Sequence, residues 1–448
     1  MTNPDGGTGV GGAADKGREH MGDYDRIRVL WPDHLGLARG KYLPIRYAEQ
    51  GAFHCLALFA LGYDRDMTPA PGTKMLQGLP DLKASFSMDE VRQGWEPRTG
   101  VAVADIEHQG EPVPMSPRHA LRRAIEDWRA LGYEPKIGIE FEAYILQRSQ
   151  DGQRWVPWET PGGYVYGTGT AVDPIGLLDE IMREAEDADL PVESINSEYD
   201  IPQFELTLHF DDALKAVDDA FLFKVMAREI AHRHGLLLTY LGKPLGDRGG
   251  SGLHVNLSLE DANGDNALND PTSNDGLSKL AHQAIAGMMD HHRGMTALLA
   301  PTVNAYKRLR PGQMSGYWSN WGYDHRGTTV RISPERGAST RLEHRMADGA
   351  ANIYTATATV MQAARLGVQG EKEVQPAETQ DCLESTDATV HTPVTLRDAL
   401  DVLEQDTELV EAVGRELIEH FVVIKRAEWE RFAAAVTDWE LNEYLPFH

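Results

Sequence analysis

Pro135-Lys-Ile-Gly-Ile-Glu-Phe-Glu-Ala-Tyr-Ile-Leu146 alternates with a period of two. A strand through it places Ile137, Ile139, Phe141, Ala143 and Ile145 on one face and Glu140 and Glu142 on the other. Two carboxylates so close together cannot both stay charged at no cost. Unless water or a cation shields them, one is held protonated. Either that face is solvated or it holds metal.

The alternation recurs along the chain. In Gln203-Phe-Glu-Leu-Thr-Leu-His-Phe210, the residues Phe204, Leu206, Leu208 and Phe210 fall on one face and Glu205 on the other. Ser251-Gly-Leu-His-Val-Asn-Leu-Ser-Leu259 sets Leu253, Val255, Leu257 and Leu259 against His254, Asn256 and Ser258. Thr340-Arg-Leu-Glu-His-Arg345 carries Arg341, Glu343 and Arg345 together, and Val330-Arg331-Ile332 isolates an arginine. One wet face on an antiparallel sheet explains any single strand of this kind. Five strands whose polar faces hold Glu, His and Arg, with hardly a Lys, describe a charged concave sheet. Glutamates with one histidine suit Mg²⁺ or Mn²⁺, and arginines on the same surface suit phosphate and carboxylate. Metal, phosphate and carboxylate together suggest a nucleotide-dependent ligase or kinase.

Two other motifs carry less. Gly246-Asp-Arg-Gly-Gly-Ser-Gly252 lacks the Gly-Lys-Ser/Thr ending of a phosphate loop and leads into a strand, so its glycines are expected to bring backbone close to a ligand. Asp290-His291-His292 lies in a helical stretch where adjacent residues diverge by about 100° around the axis, which predicts a surface role.

The expected class is α+β. Residues 1–20, rich in Gly and polar residues, read as a disordered leader. Residues 22–112 hold short apolar runs broken by Gly and Pro, a small β-rich domain. Ser116-Pro117 then opens a helix whose apolar positions Leu121, Ala124, Ile125, Trp128 and Leu131 precede a stop at Gly132, so a larger domain is expected over 113–448. Helices are expected at about 174–189, 212–234 and 275–299, with a helical C-terminal region from about 395. Residues 369–392 read as an exposed loop or flap.

The 448 residues are 41% hydrophobic and 25% charged, ample for a real core. A net charge of −26 would repel nucleic acid and anionic membrane surfaces. No apolar run reaches the length of a membrane span, and the first twenty residues lack a signal-peptide core. The only cysteines, Cys55 and Cys382, exclude a disulfide framework and suit a cytoplasmic location.

These segments, in this order, resemble the glutamine synthetase family, most closely its γ-glutamyl-amine ligase branch. The resemblance spans about residues 22–448. It rests on Gly138-Ile-Glu-Phe-Glu142, Glu198-Tyr-Asp-Ile-Pro-Gln-Phe-Glu205, Gly249-Gly-Ser-Gly-Leu-His254, Asn304-Ala-Tyr-Lys-Arg-Leu-Arg-Pro-Gly312 and Arg341-Leu-Glu-His-Arg-Met-Ala-Asp348. It implies a small β-grasp domain, a larger catalytic domain with a curved antiparallel sheet, and two stacked rings of six subunits with sites between neighbours. Two or three Mg²⁺ or Mn²⁺ ions per site are implied, with ATP as co-substrate. Glu142, Glu198 and Glu205 resemble the ligands of the metal nearer the amino-acid substrate, and Glu140, His254 and Glu343 those of the metal nearer the nucleotide phosphates. Glu142, Gly250, His254, Arg308 and Arg345 fall where the family holds glutamate, and Asn256, Ser258, Arg331 and Arg341 where it contacts ATP. Arg326, Arg331 and Arg345 resemble the residues that neutralise the phosphoryl group in transfer.

The chain departs from the family at the acceptor. His54 stands near the place of an aspartate that helps bind ammonium, and Met314 replaces the flap glutamate that closes over it. Asp66 resembles the other acid of that region, and Asp66 or His54 is expected to take the proton of an alkylammonium. A small cation needs compensation for lost water that Met cannot supply, whereas an amine with an apolar substituent can bury surface there at about 25 cal/mol per Å². Met314, with Trp318 and Trp321 close behind it lining a wider pocket or packing the core, therefore predicts a substituted amine as acceptor. Glutamine synthesis from ammonium and a catalytically silent structural or regulatory role are the alternative readings.

Overall fold

A computed structural model describes residues 24–448. The leader expected over residues 1–20 lies outside them. The first strands are β1 (Arg26–Pro32), β2 (Ala38–Pro44), β3 (Ala52–Cys55), β4 (Asp81–Ser85), β5 (Arg92–Gln93), β6 (Thr99–Val103), β7 (Asp105–His108) and β8 (Glu111–Pro112). They form two four-stranded sheets, β2-β1-β6-β5 and β3-β4-β7-β8. Ile27, Val29 and Trp31 alternate inward along β1 and meet Phe59 and Leu82 in a small core. Leu30, Val101 and Val103 face the other way and join the main core.

A nine-stranded sheet carries the rest of the architecture. Its members are β9 (Glu134–Arg148), β10 (Trp155–Pro157), β11 (Val192–Ser197), β12 (Gln203–Asp212), β13 (Leu237–Thr239), β14 (Leu253–Glu260), β15 (Trp321–Tyr323), β16 (Val330–Ile332) and β17 (Leu342–His344). The order is β11-β12-β9-β14-β17-β16-β15, with β10 and β13 also paired to β9. Every pair is antiparallel except β15 with β16. The apolar face of β9 is fully buried, and Phe141 stacks on Phe223 of the helix Ala213–Arg233 with ring centroids 6.3 Å apart. Burial of that face fixes where Glu140 and Glu142 point.

The helix expected after Ser116 spans Pro117–Ala130, and the Ser116 hydroxyl caps it by accepting from the His119 N–H. Its Arg118 is buried between Asp218, at 2.7 Å, and Asp105, and Tyr354 Oη donates to Asp218 at 2.6 Å. The long helices Ala213–Arg233 and Ile353–Gln369 are thereby tied to the strand β7. No helix among the described residues is long and apolar enough to cross a membrane.

Three expectations need correction. Phe210, expected on the apolar face of β12, is 51% exposed because the register shifts between Leu208 and Asp211. The helix expected over 275–299 is broken into Lys279–Asp290 and His292–Leu299, and neither histidine at the break is on the surface. His291 Nδ1 lies 2.8 Å from Asp406, and His292 Nε2 donates to the Tyr317 carbonyl at 3.2 Å. Helical phase assigns adjacent residues to different sides, but packing covers both sides here. The 369–392 segment is irregular beyond the helix end, yet it dips inward at Glu378 and Cys382. Glu378 accepts from Thr386 Oγ1 at 2.5 Å, Gln380 N at 2.9 Å and Asn320 Nδ2 at 3.3 Å, which pins the loop to the sheet.

Candidate active site

Strand register assembles the charged face. Glu205 on β12 sits opposite Glu142 on β9, His254 on β14 opposite Glu140, and Glu343 on β17 opposite both Asn256 and Arg331. The alternation predicts the face, and the register decides which groups touch. The His254 ring is wedged between carboxylates. Its Nδ1 lies 3.2 Å from Glu140 and 3.5 Å from Glu343, and its Nε2 is 3.5 Å from Glu142. One ligand atom each from Glu140, Glu205 and His254 falls within a 4.8 Å cluster.

Protonation divides this cluster. Burial opposes the charge of Glu140, but His254, Asn256 and Arg345 outweigh it and bring its carboxyl down to about 2. Glu343 is lowered too, because Arg345 and His254 overcome its burial. Glu205 is pushed up to about 7 by burial and by the negative fields of Glu140 and Glu198. Glu198 is raised by burial and by Glu142, and it shares a hydrogen bond with Glu205. The proton demanded by crowded carboxylates thus settles on the Glu198–Glu205 side. Such a set of hard oxygens with one imidazole fits a divalent cation, and His254 Nε2 is buried with no hydrogen-bond partner of its own.

Arginines close the other end. Arg331 donates to Glu343 at 2.9 Å and to Asp324 at 2.7 Å, and Arg345 donates to the second Glu343 oxygen. The Nε of each is buried and unpartnered. Arg326 is exposed on the turn beside Asp324. Asn256 donates to Glu140 at 2.9 Å. With Ser258 and Arg341 it lines a recess of about 240 Å³, whereas Arg331 lies outside that recess.

Arg308 is fully buried and anchored on the carbonyls of Met346 at 2.8 Å and Arg345 at 3.2 Å. It crosses the glycine segment, where the absence of side chains leaves room for its own guanidinium arm. A Cβ on Gly252 would fall 2.7 Å from Arg308 Nη2 and 3.3 Å from Glu142 Oε1. Three positioning residues escaped the sequence reading. Gln203 donates to Glu142 at 3.2 Å and to the Gly250 carbonyl at 2.9 Å, Asp200 accepts from Gly249 N, and Tyr144 Oη donates to the Gly249 carbonyl at 3.0 Å. Their only signal was a place inside the Glu198–Glu205 segment or beside Glu142.

The residues expected at the acceptor stand apart from this cluster. Met314 is 55% exposed on the turn after Arg308. Trp321 is buried in the core, and Trp318 packs against Tyr317 and His391. Asp66 is exposed, on the turn before Met67. His54 turns inward, with its ring 5.4 Å from Trp31, and burial lowers its pKa. Phe53 and Cys55, its neighbours on β3, take the exposed face instead.

A family model described as the catalytic domain of glutamine synthetase matches residues 114–444. The chain belongs to the glutamine synthetase family. Members of that family are ATP-dependent ligases, and this chain is one. It is 33% identical to a γ-glutamylethanolamide synthetase, GlnA4, of Streptomyces coelicolor, over 94% of this chain and 92% of that one. It is 30% identical to a glutamate–isopropylamine ligase of a Pseudomonas species, over 94% and 95% of the two chains. A glutamine synthetase of Methanocaldococcus jannaschii is 31% identical over 94% of each. Among solved structures, apo GmaS aligns with a TM-score of 0.84 and 30% identity, covering 96% of this chain and 99% of that one. The mixed α/β fold with its antiparallel-rich sheets is that of the glutamine synthetase family.

Proposed function

We propose that this chain joins the γ-carboxylate of L-glutamate to a substituted amine, giving a γ-glutamyl amide, ADP and phosphate. Met314 carries the reading. It stands where the resemblance expects the glutamate that closes over ammonium, while the metal, arginine and glutamate-binding positions are all filled. The ethanolamine and isopropylamine named for two relatives support it.

In this reading Arg308 and the Gly250 backbone hold the amino-acid end of glutamate. Glu140, His254 and Glu343 hold one divalent ion and Glu142, Glu198 and Glu205 another. Bound there, Mg²⁺ or Mn²⁺ supplies charge neutralisation to the phosphate oxygens. Asn256, Ser258 and Arg341 line the nucleotide recess. The γ-carboxylate of glutamate attacks the γ-phosphate of ATP and releases ADP. Arg331 and Arg345, with their unpartnered Nε–H groups, and Arg326 stabilise the charge spread over the phosphoryl oxygens. The neutral amine then attacks the carbonyl carbon of the γ-glutamyl phosphate, expels phosphate and gives up a proton.

An alkylammonium has a pKa near the lysine value of about 10.4, so a base must take its proton before attack. His54 is enclosed against Trp31, which leaves exposed Asp66 as the acceptor in this proposal. Asp66 of one subunit reaches the site of the next in an assembly of two stacked rings of six. The exposed Phe53, Met67, Leu76 and Leu79 of the small domain supply apolar surface for such a contact.

The test is glutamate-dependent ADP release over a panel of ethanolamine, alkylamines, polyamines, arylamines and ammonium. A substituted amine with the highest kcat/KM supports the proposal. Ammonium as the best acceptor would replace it with glutamine synthesis, which the glutamine synthetases among the relatives favour. No turnover with any amine would leave the silent role.

A further inference from the structure

On the far side of the sheet from Glu140 and Glu142, a cleft of about 870 Å³ opens between the turn after β1, the helix Ala213–Arg233 and the Gly349–Tyr354 segment. Nothing in the proposed reaction uses it, and its size suits a small metabolite. Leu37, Leu237 and Phe221 form part of its apolar wall. Three donors line it with no carboxylate in hydrogen-bond or ion-pair contact, although the buried Asp348 acts on Lys224 from a greater distance. Lys224 Nζ donates only to the Gly349 carbonyl, at 2.8 Å, and rests over the rings of Tyr240 and Phe141. Arg228 makes no hydrogen bond or ion pair among the described residues. Tyr240 is 5% exposed, and its hydroxyl is buried with no partner.

The carboxylates that line the same cleft are already engaged. Glu229 accepts from Arg28 at 2.9 and 2.6 Å and from Trp95 at 2.6 Å, and Glu428 accepts from Lys425 at 2.8 Å. Lys224 and Arg228 are i,i+4 neighbours of like charge, an arrangement that destabilises a helix unless something anionic lies between them. Burial, with Arg228 adding to it and Asp348 opposing, brings the Lys224 ammonium down to about 8. A buried unpaired hydroxyl costs free energy that a ligand oxygen would recover.

We infer that this cleft binds a small organic anion, with its carboxylate or phosphate held by Lys224, Arg228 and Tyr240 and its apolar body against Leu37 and Leu237. The site is wired to the reaction centre. Gly349, whose carbonyl Lys224 holds, donates its own N–H to the Ser251 carbonyl at 3.0 Å, and Ser251 stands between Gly250 and Gly252. An anion that draws Lys224 from Gly349 therefore shifts the segment that borders Arg308. This regulatory consequence rests on the reading of Gly250 and Arg308 as the glutamate site, whereas binding in the cleft does not.

The experiment titrates the assembled protein with citrate and with phenyl phosphate while ADP and glutamate saturate the reaction site. Saturable heat of binding is expected for at least one probe. Arg228→Gln should weaken it about tenfold or more, and Arg228→Lys should restore part of it. Arg228 is exposed, so these variants keep the fold, and Lys224→Met serves as a second disruption. With the wild type, the same probe changes the KM for glutamate, and Arg228→Gln abolishes that change. Binding by neither probe, or equal affinity in wild type and Arg228→Gln, overturns the site. Binding that leaves the glutamate KM unchanged overturns its regulatory role alone.

Discussion

Arg308 lies so close over Gly250 that a Cβ on Gly250 would stand 2.6 Å from Arg308 Cγ. Gly250→Ala must therefore push Arg308 or the backbone aside. Because a misplacement of about 1 Å at a reaction centre costs about a hundredfold in rate, kcat/KM for glutamate should fall about ten- to a hundredfold. Glutamate saturation curves check this, and a kcat/KM within twofold of wild type would remove the contact from the argument.

Gln203 fixes Glu142 from one amide and the glycine segment through the same group. Removal of a residue that orients a metal ligand typically weakens metal affinity about 10- to 100-fold. Gln203→Ala should do so for Mn²⁺ measured by calorimetry, with Tm nearly unchanged in the absence of metal. Gln203→Glu should behave differently, because it places a further carboxylate against Glu142 in place of a donor.

Acid should unfold this protein through its buried histidines. His34 and His420 meet edge to face with ring centroids 4.9 Å apart, and each Nε2 donates to a carbonyl, of Leu61 and Phe59 respectively. Burial holds both imidazoles down to about 3 and His292 to about 4. Their unfolded value is about 6.5, so below it the unfolded chain takes up protons that the folded chain refuses. Stability is full above about pH 6.5 and drains as pH falls toward 4, by up to about 1.4 kcal/mol per unit for each histidine. Urea midpoints measured at pH 7.5 and 5.5 check this. The double variant His34→Gln, His420→Gln should be less stable at pH 7.5 but lose less between the two pH values.

Glu378→Ala should loosen the loop it gathers, because Asn320, Thr386 and the N–H groups of Gln380 and Asp387 would lose their acceptor. Unmade bonds of this kind cost about 1–3 kcal/mol. Amide exchange should rise across 378–388, while exchange in β9 stays slow. Equal protection in the variant would show that other contacts hold the loop.

The charged face was legible because alternation is local: each strand names its own outward residues, so Glu140, Glu142, Glu205, His254 and Glu343 could be placed on one side of a sheet. Register was not legible. That His254 touches three of these carboxylates depends on how β14 slides against β9 and β17, a long-range choice with no local mark. Gln203 and Asp200 carry no local mark, because a polar residue near a glutamate looks like solvated surface. His54 was placed by its neighbours in sequence, while the pleat of β3 turned it toward Trp31. The break at His291 was hidden because its two helices share one apolar pattern.

The spacing between Glu140 and Glu142 is the pleat of β9 itself. Residues two apart on a strand are separated by about 6.6 Å, and Phe141, locked against Phe223 between them, keeps that interval from stretching. The backbone thus acts as a ruler for the two charge centres. Met314 sits on an exposed turn with no share in that measure, so a substitution there leaves the interval between the two carboxylates at its gauge.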